Sequence, residues 1–128
     1  MLTDGQVDRF SRQILLREVG GSGQEELLAA CVRVERLDEA GRALALWLAR
    51  SGIGALSLPP DRSPAPARDA AGLLLASDAG RPLVDAVRER LSFHAPDLAF
   101  RSAWTVESDG IPGGPEGALA LVRRILRA

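Results

Sequence analysis

The chain has 128 residues, of which 46% are hydrophobic and 26% are charged, a composition typical of one globular domain with one core. The formal net charge of -1 argues against a dedicated nucleic-acid-binding protein. All 16 basic residues are arginine, which excludes a phosphate-binding lysine and a Schiff-base lysine.

The chemistry of metal sites and disulfides is narrowly limited here. Cys31 is the only cysteine and His94 the only histidine, so we expect no intrachain disulfide and no metal site from these side chains unless carboxylates supply the other ligands. We also expect no bound cofactor. The N-terminus is polar, so we expect no signal peptide, and no apolar run approaches a membrane span. We therefore expect a cytoplasmic protein that contacts neither membrane nor nucleic acid.

The N-terminal third predicts two helices and a strand. Val7, Phe10, Ile14 and Leu15 fall at helical spacing, which predicts an amphipathic helix over residues 5–17. Glycines at 20, 21 and 23 end that helix, and a short second helix follows over 23–30. Residues 31–34 alternate between apolar and basic side chains and are predicted to form the first strand.

A strand-helix-strand unit is predicted over residues 31–58. Apolar residues line one face of a helix at 39–51, Gly52 ends it, and residues 53–58 form the second strand. Such a unit normally pairs its strands in parallel through a right-handed crossover.

The C-terminal half alternates loops and helices. Four prolines predict an exposed loop over 59–68, and the apolar run 73–75 is ambiguous. A third helix is predicted over 79–92 with Pro82 in its first turn, then a third strand over 98–104. A loop over 109–114 leads to a final helix over 115–127. The cap at Asp38 and the acidic Glu39 suit a helix start.

Several of these segments, in this order, resemble the ThiF/MoeB/ubiquitin-activating superfamily, whose members adenylate the C-terminus of a ubiquitin-like or sulfur-carrier protein. The matching segments are 8–16 (DRFSRQILL), 23–27 (GQEEL), 47–54 (WLARSGIG), 77–82 (SDAGRP) and 95–97 (APD). The resemblance implies an α/β, truncated Rossmann-like three-layer fold with a short, mostly parallel sheet and an N-terminal helical extension. It implies a single ThiF-like domain over 1–128, with N-terminal helices over 1–30, a degenerate nucleotide unit over 31–58, a proline-rich loop over 59–70 and the remainder over 71–128.

The family's Gly-x-Gly-x-x-Gly nucleotide turn falls on residues 36–41 (RLDEAG), where only Gly41 keeps its glycine. The first two glycines let backbone N–H groups reach a phosphate, whereas Asp38 and Glu39 place carboxylates there. Arg36 is the one residue of this turn that would attract phosphate. The family's ribose-binding Asp falls on Pro60, with Asp61 one position away, and its lysine falls on Leu83. We therefore expect a degenerate nucleotide loop marked by Arg36, Asp38 and Gly41.

Arg9 and Arg12 are the other candidate site residues. In the family, the second arginine of the opening motif reaches across a dimer interface to the phosphates of ATP bound by the partner, a task that suits a permanently charged fork. The resemblance gives this role to Arg12, with Arg9 beside it. The alternative is that both are solvated residues on a helix face that pair with nearby acids.

Three functions remain open from the sequence. The first is a pseudoenzyme that acts as a dimerising scaffold or regulatory subunit, forming a homodimer or a heterodimer with an active adenylating enzyme. The second is a module that recognises a carrier protein or a peptide in a peptide-modifying pathway. The third is an adenylyltransferase with residual ATP binding.

Overall fold

The structure is a computed structural model in which residues 23–127 are described. The predicted helix over 5–17, with Arg9 and Arg12, lies outside this range. Four helices and four strands follow one another in the described part of the chain: α1 (23–29), β1 (Cys31–Arg33), α2 (Glu39–Ser51), β2 (Ala55–Ser57), α3 (Leu83–His94), β3 (Ala99–Phe100), β4 (Val106–Glu107) and α4 (Gly114–Arg127).

The four strands form one sheet in the order β3-β2-β1-β4, and every neighbouring pair is parallel. Val32 in β1 is in register with Leu56 in β2 on one side and with Val106 in β4 on the other. The chain builds outward from β1 through β2 to β3 and then places β4 on the opposite side of β1. This arrangement is the α/β, Rossmann-like sheet that the sequence predicts.

The hydrophobic core lies between the sheet and the helices. Val32 and Leu56 are fully buried at the centre of the sheet. Helix α2 packs against both α3 and α4, so its Leu48 is fully enclosed. Each of the two outer helices contributes its own buried aliphatic residues to the same cluster, namely Ala86, Val87 and Leu91 from α3 and Ala118, Leu121 and Val122 from α4.

Local sequence signals set the ends of α2. Asp38 has extended backbone angles and caps the first turn, while Gly52 has a φ of 92° and ends the helix in the left-handed region. Gly52 N–H donates to the carbonyls of Ala49 and Leu48, which would otherwise lack partners at the helix end. The predicted bounds of 39–51 are confirmed.

The predicted start of the third helix at residue 79 is wrong. Gly80 has a φ of 83°, which ends any helical path at that point, and Pro82 is the N-cap of α3 rather than a member of its first turn. A short 3-10 turn, Ala76–Asp78, precedes it. The buried carboxylate of Asp78 binds Arg81 at 2.7 Å and Arg90 at 3.2 Å, and this pairing fixes the turn against α3.

The predicted strand over 98–104 is also wrong in its extent, because β3 is limited to two of these residues and β4 begins only after them, at Val106. Only Ala99 and Phe100 pair with β2, and the chain then crosses to Thr105, whose N–H donates to the carbonyl of Cys31. On the way, Trp104 stacks over the guanidinium of Arg33 at 4.3 Å and donates from its indole N–H to Glu107.

The proline-rich segment is held more tightly than the predicted exposed loop. Ala65 is buried, its N–H donates to the carbonyl of Arg81, and its own carbonyl accepts from Gly80. Pro64 forms an isolated bridge with Pro82. Because these bonds tie the segment to the start of α3, it becomes a fixed wall beside the carboxyl end of β2.

Every helix that the structure describes between residues 23 and 127 is too short or too polar to cross a lipid bilayer.

Candidate functional site

A pocket lies beyond the carboxyl ends of the neighbouring strands β1 and β4, with a volume of about 330 Å³. In open parallel sheets, ligands bind beyond the carboxyl ends of strands at the place where the strand order reverses. Here the order reverses at β1, between β2 and β4. We call this the β1/β4 pocket; it is lined by residues 34–36, Asp38, Ala40, Gly41, Leu44 and 108–111.

Three residues of the predicted nucleotide loop lie together in this pocket: Arg36, Asp38 and Gly41. The carboxylate of Asp38 accepts a hydrogen bond from the N–H of Gly41, with a distance of 2.8 Å between nitrogen and oxygen. The N-terminal N–H groups of a helix are the donors that bind phosphate in nucleotide-binding folds. In this chain an internal carboxylate takes one of those donors.

Gly41 retains a packing role that any side chain would abolish. A Cβ built on Gly41 would lie 1.8 Å from the carbonyl oxygen of Arg36. Such an approach is far inside van der Waals contact, so the loop and α2 pack this closely only because residue 41 is glycine. The glycine predicted to be the third of the turn therefore fits the close approach between loop and helix, while the positions predicted for the other two glycines carry the side chains of Arg36 and Asp38.

The guanidinium of Arg42 anchors the loop that carries Asp38. Its Nη1 donates to the carbonyl of Leu37 at 2.8 Å, while its Nε and Nη2 donate to Asp69 at 3.1 and 3.0 Å. Asp69 also accepts from the N–H groups of Ala71, Leu73 and Leu74. Burial alone would raise the pKa of Asp69, but these hydrogen bonds and the charge of Arg42 outweigh it and lower that pKa.

A second, wider cavity of about 600 Å³ lies on the other side of the same loop, towards β2. Asp61 lines it, but its carboxylate accepts hydrogen bonds from the N–H and hydroxyl of Ser63 and so turns into its own loop. These hydrogen bonds lower the pKa of Asp61. Leu83, where the resemblance predicts the family's lysine, is buried and offers this cavity an apolar side chain.

Ser108 and Asp109 form the far wall of the β1/β4 pocket, a position that no sequence pattern predicted. They follow β4, which has two residues and carries no periodicity that predicts a strand. The only sequence signal is the turn chemistry of Asp109-Gly110, where Gly110 has a φ of 76°. Their place in the site depends on β4 pairing with β1.

The other reactive side chains do not converge on this pocket. Within residues 23–127 no group of three or more His, Cys, Asp or Glu side chains is placed to hold a metal ion. Cys31 is buried in β1, and burial raises the pKa of its thiol, although the charge of Arg101 partly offsets this. His94 is exposed at the last residue of α3.

The parallel sheet and the pocket at its carboxyl edge define a Rossmann-like α/β protein. No protein-family model matches the chain. The sulfur carrier protein ThiS adenylyltransferase of Escherichia coli (strain K12) is 33% identical over 98 residues, covering 76% of this chain and 39% of that protein. Adenylyltransferase and sulfurtransferase MOCS3 of Mus musculus is 44% identical over 57 residues, covering 44% of this chain and 12% of that protein.

The fold agrees with these relatives. The crystal structure of PaaA matches with a TM-score of 0.60 and 24% identity, covering 83% of this chain and 38% of PaaA. The chain belongs to the ThiF/MoeB superfamily. It spans 39% of the length of the E. coli relative and 12% of the length of the mouse relative.

Proposed function

We propose that this chain is a non-catalytic member of the ThiF/MoeB superfamily, acting in the cytoplasm as a dimerising scaffold or regulatory subunit of an adenylating system. The observation that carries the proposal is the hydrogen bond from Gly41 N–H to the Asp38 carboxylate. A relative named as an adenylyltransferase of a sulfur carrier supports the choice of system.

Coulomb repulsion and lost donors both oppose a nucleotide phosphate in the β1/β4 pocket. Two like unit charges 4 Å apart repel by about 1 kcal/mol in water and by about 4 kcal/mol near a protein surface. Asp38 is exposed to solvent, so the figure for water applies to its carboxylate. Even that figure weakens binding about fivefold for each such contact. The N–H of Gly41 is in addition already used by Asp38.

The regulatory role in this proposal falls to Arg12, with Arg9 beside it. A subunit that has lost its own nucleotide site still stabilises phosphate charge if it donates an arginine to its partner's site. We therefore propose a homodimer, or a heterodimer with an active adenylating enzyme, whose substrate is a carrier protein or a peptide. Both arginines lie outside the described residues, so this part of the proposal is built on their sequence alone.

Exchange of labelled pyrophosphate into ATP tests the non-catalytic role. Adenylation of a carboxylate releases pyrophosphate from ATP, so an adenylating enzyme returns label to ATP when its acceptor is present. We expect no exchange above the buffer rate for the full chain with the carrier or peptide that co-purifies with it. Exchange that depends on both chain and acceptor would establish an adenylyltransferase instead.

A second assay tests the proposed regulation. The tagged full chain is purified from its native cells together with the adenylating enzyme that it retains, and that enzyme's rate of AMP transfer is measured. We expect Arg12→Ala to slow the rate at least tenfold while the complex persists in gel filtration, and Arg17→Ala to serve as the matched control. An unchanged rate with Arg12→Ala removes the donated-arginine role.

The alternative of a peptide-recognition module is favoured by two open sheet edges in the described part of the chain, at β3 and β4. Each edge strand has only two residues, so an added strand would gain few ladder hydrogen bonds. The same purification separates the two functions, because a module of this kind retains a peptide precursor and no adenylating enzyme.

A further inference from the structure

Asp109 and Gly110 are the central pair of a tight turn that follows β4. A hydrogen bond from the N–H of Ile111 to the carbonyl of Ser108, with 3.0 Å between nitrogen and oxygen, closes the turn. Gly110 has a φ of 76° whereas the φ of Asp109 is not positive, and this combination defines a type II turn. Both central residues are exposed to solvent. The turn therefore presents to water an aspartate that is followed directly by glycine.

The peptide group between Asp109 and Gly110 can rotate while the turn stays closed. Its rotation converts a type II turn into a type I turn, and the same hydrogen bond between Ser108 and Ile111 closes both. Glycine adopts positive and negative φ with similar ease, so Gly110 adds little steric resistance. A Cβ built on Gly110 would meet no atom of the described residues within 4 Å beyond its chain neighbours. The nitrogen of Gly110 is therefore free to approach the carboxyl group of Asp109.

We propose that Asp109 is a site of spontaneous isomerisation to isoaspartate. The nitrogen of Gly110 attacks Cγ of Asp109 and loses its proton, while a carboxyl oxygen leaves as water, and a five-membered succinimide ring closes. A water molecule then opens the ring at one of its two carbonyls. Opening at Cγ restores aspartate, whereas opening at the main-chain carbonyl leaves isoaspartate, whose main chain runs through Cβ and Cγ. One water leaves and one water enters, so the conversion needs no other reactant.

The sequence around the other aspartates sets Asp109 apart. The chain contains no asparagine, so isoaspartate arises only from aspartate, and Asp-Gly occurs only at 4–5, outside the described residues, and at 109–110. The side chains of Asp69 and Asp78 are buried, and their carboxylates accept hydrogen bonds that hold them in place. Asp97 is exposed, but the side chain of the following Leu98 hinders attack by its nitrogen. Asp109 is therefore the described aspartate that we expect to isomerise fastest.

Isomerisation at this position alters the wall of the β1/β4 pocket. Ser108 and Asp109 both line that pocket, and isoaspartate adds one methylene to the main chain between Ser108 and Gly110. The free carboxylate then lies on Cα instead of at the end of a side chain. This inference is independent of the proposed function, because the wall changes whether or not the pocket ever binds a nucleotide.

Peptide mapping of the aged full chain tests the proposal. The chain has no lysine, so trypsin cleaves only after arginine, and peptides 102–123 and 91–101 contain Asp109 and Asp97, respectively, as their only aspartate. The folded chain is aged at neutral pH and cleaved, and isoaspartate is then marked with labelled S-adenosylmethionine and protein L-isoaspartate methyltransferase. We expect label to accumulate at least tenfold faster in 102–123 than in 91–101. Equal rates in the two peptides would overturn the proposal.

A variant and a synthetic peptide provide the controls. Asp109→Glu keeps the charge but would have to close a six-membered ring, so we expect the label in 102–123 to fall to background. The synthetic peptide 102–123 gives the rate of the unfolded chain, and we expect the folded chain to isomerise within about tenfold of that rate because the turn permits the rotation. A folded chain slower than this, or label that persists in Asp109→Glu, contradicts the assignment of Asp109.

Discussion

The guanidinium of Arg42 and the carboxylate of Asp69 form a buried ion pair, with 3.0 Å between Nη2 and Oδ1 and side chains that are 9% and 1% exposed. This pair joins α2 to the segment that follows the proline-rich stretch. The same guanidinium donates to the carbonyl of Leu37, in the loop that carries Asp38. One ion pair therefore links the position of the candidate site to the stability of the fold.

We expect Asp69→Ala to destabilise the protein by about 3 to 5 kcal/mol, because it leaves a buried guanidinium without its carboxylate. Three backbone N–H groups lose their acceptor in the same variant. The free energy of unfolding in urea measures the effect. Arg62→Ala is the matched control, since its pair with Asp85 is exposed and is expected to contribute less than about 1 kcal/mol. Equal losses in the two variants would contradict the buried-pair account.

Acid is expected to destabilise the fold through Asp78. Burial alone would raise the pKa of Asp78, but a hydrogen bond from Leu75 N–H, a hydrogen bond from Arg81 and the charges of Arg90 and Arg81 outweigh it and lower that pKa. A carboxyl group whose pKa is lower in the folded state binds more protons when unfolded. Its stabilisation is therefore complete above the unfolded value of about 3.9 and is lost as the pH falls through the folded value.

Urea midpoints measured from pH 7 to pH 3 test this expectation. The wild-type midpoint should change little between pH 7 and pH 5 and fall below that, while Asp78→Asn starts lower and falls less steeply. Asp97→Asn, at an exposed position, should follow the wild-type curve. Parallel curves for wild type and Asp78→Asn would show that another group causes the acid sensitivity.

The sequence was sufficient where structure is determined locally. Asp38 and Gly52 set the two ends of α2 by capping, and the apolar face between them can be identified directly from the sequence. The strand-helix-strand unit from Cys31 to Ser57 follows from this helix and from the crossover rule, so the Rossmann-like class was predictable.

Prediction failed where structure depends on distant partners. The short extent of β3 and the position of β4 are set by pairing of Phe100 with Leu56 and of Val106 with Val32, and neither strand is long enough to show a period. The far wall of the pocket, Ser108 and Asp109, was missed for the same reason. The start of α3 was misplaced because Gly80 adopts a positive φ and the buried carboxylate of Asp78 pairs with Arg81 and Arg90. The spacing of apolar residues predicts neither feature.

Gly41→Ala is expected to destabilise the protein by about 1 to 3 kcal/mol, although alanine normally stabilises a helix relative to glycine. The reason is the 1.8 Å approach of the added Cβ to the carbonyl of Arg36. Ala43→Gly, in the same helix, provides the control and should cost about 1 kcal/mol through helix propensity alone. Thermal unfolding of both variants decides; a Gly41→Ala protein that melts above wild type would refute the close packing.

Trp104 is expected to stabilise the crossing between β3 and β4 by about 1 kcal/mol through its stacking on Arg33. Trp104→Phe keeps a ring over the guanidinium but loses the 2.8 Å hydrogen bond from the indole N–H to Glu107. Urea unfolding should therefore rank wild type above Trp104→Phe and Trp104→Phe above Trp104→Ala. A Trp104→Ala protein as stable as wild type would show that this contact contributes nothing.

Calorimetric titration of Mg-ATP into the wild-type chain and into Asp38→Gly, side by side, measures whether the Asp38 carboxylate keeps nucleotide out of the β1/β4 pocket. We expect no saturable heat for the wild type up to about 1 mM ATP, and measurable binding once the carboxylate is removed and the N–H of Gly41 is released. Circular dichroism confirms that the variant, which loses a helix cap of about 1 kcal/mol or less, remains folded. Micromolar binding of Mg-ATP by the wild type would show that the nucleotide site is functional and that the chain is not a degenerate member of the superfamily.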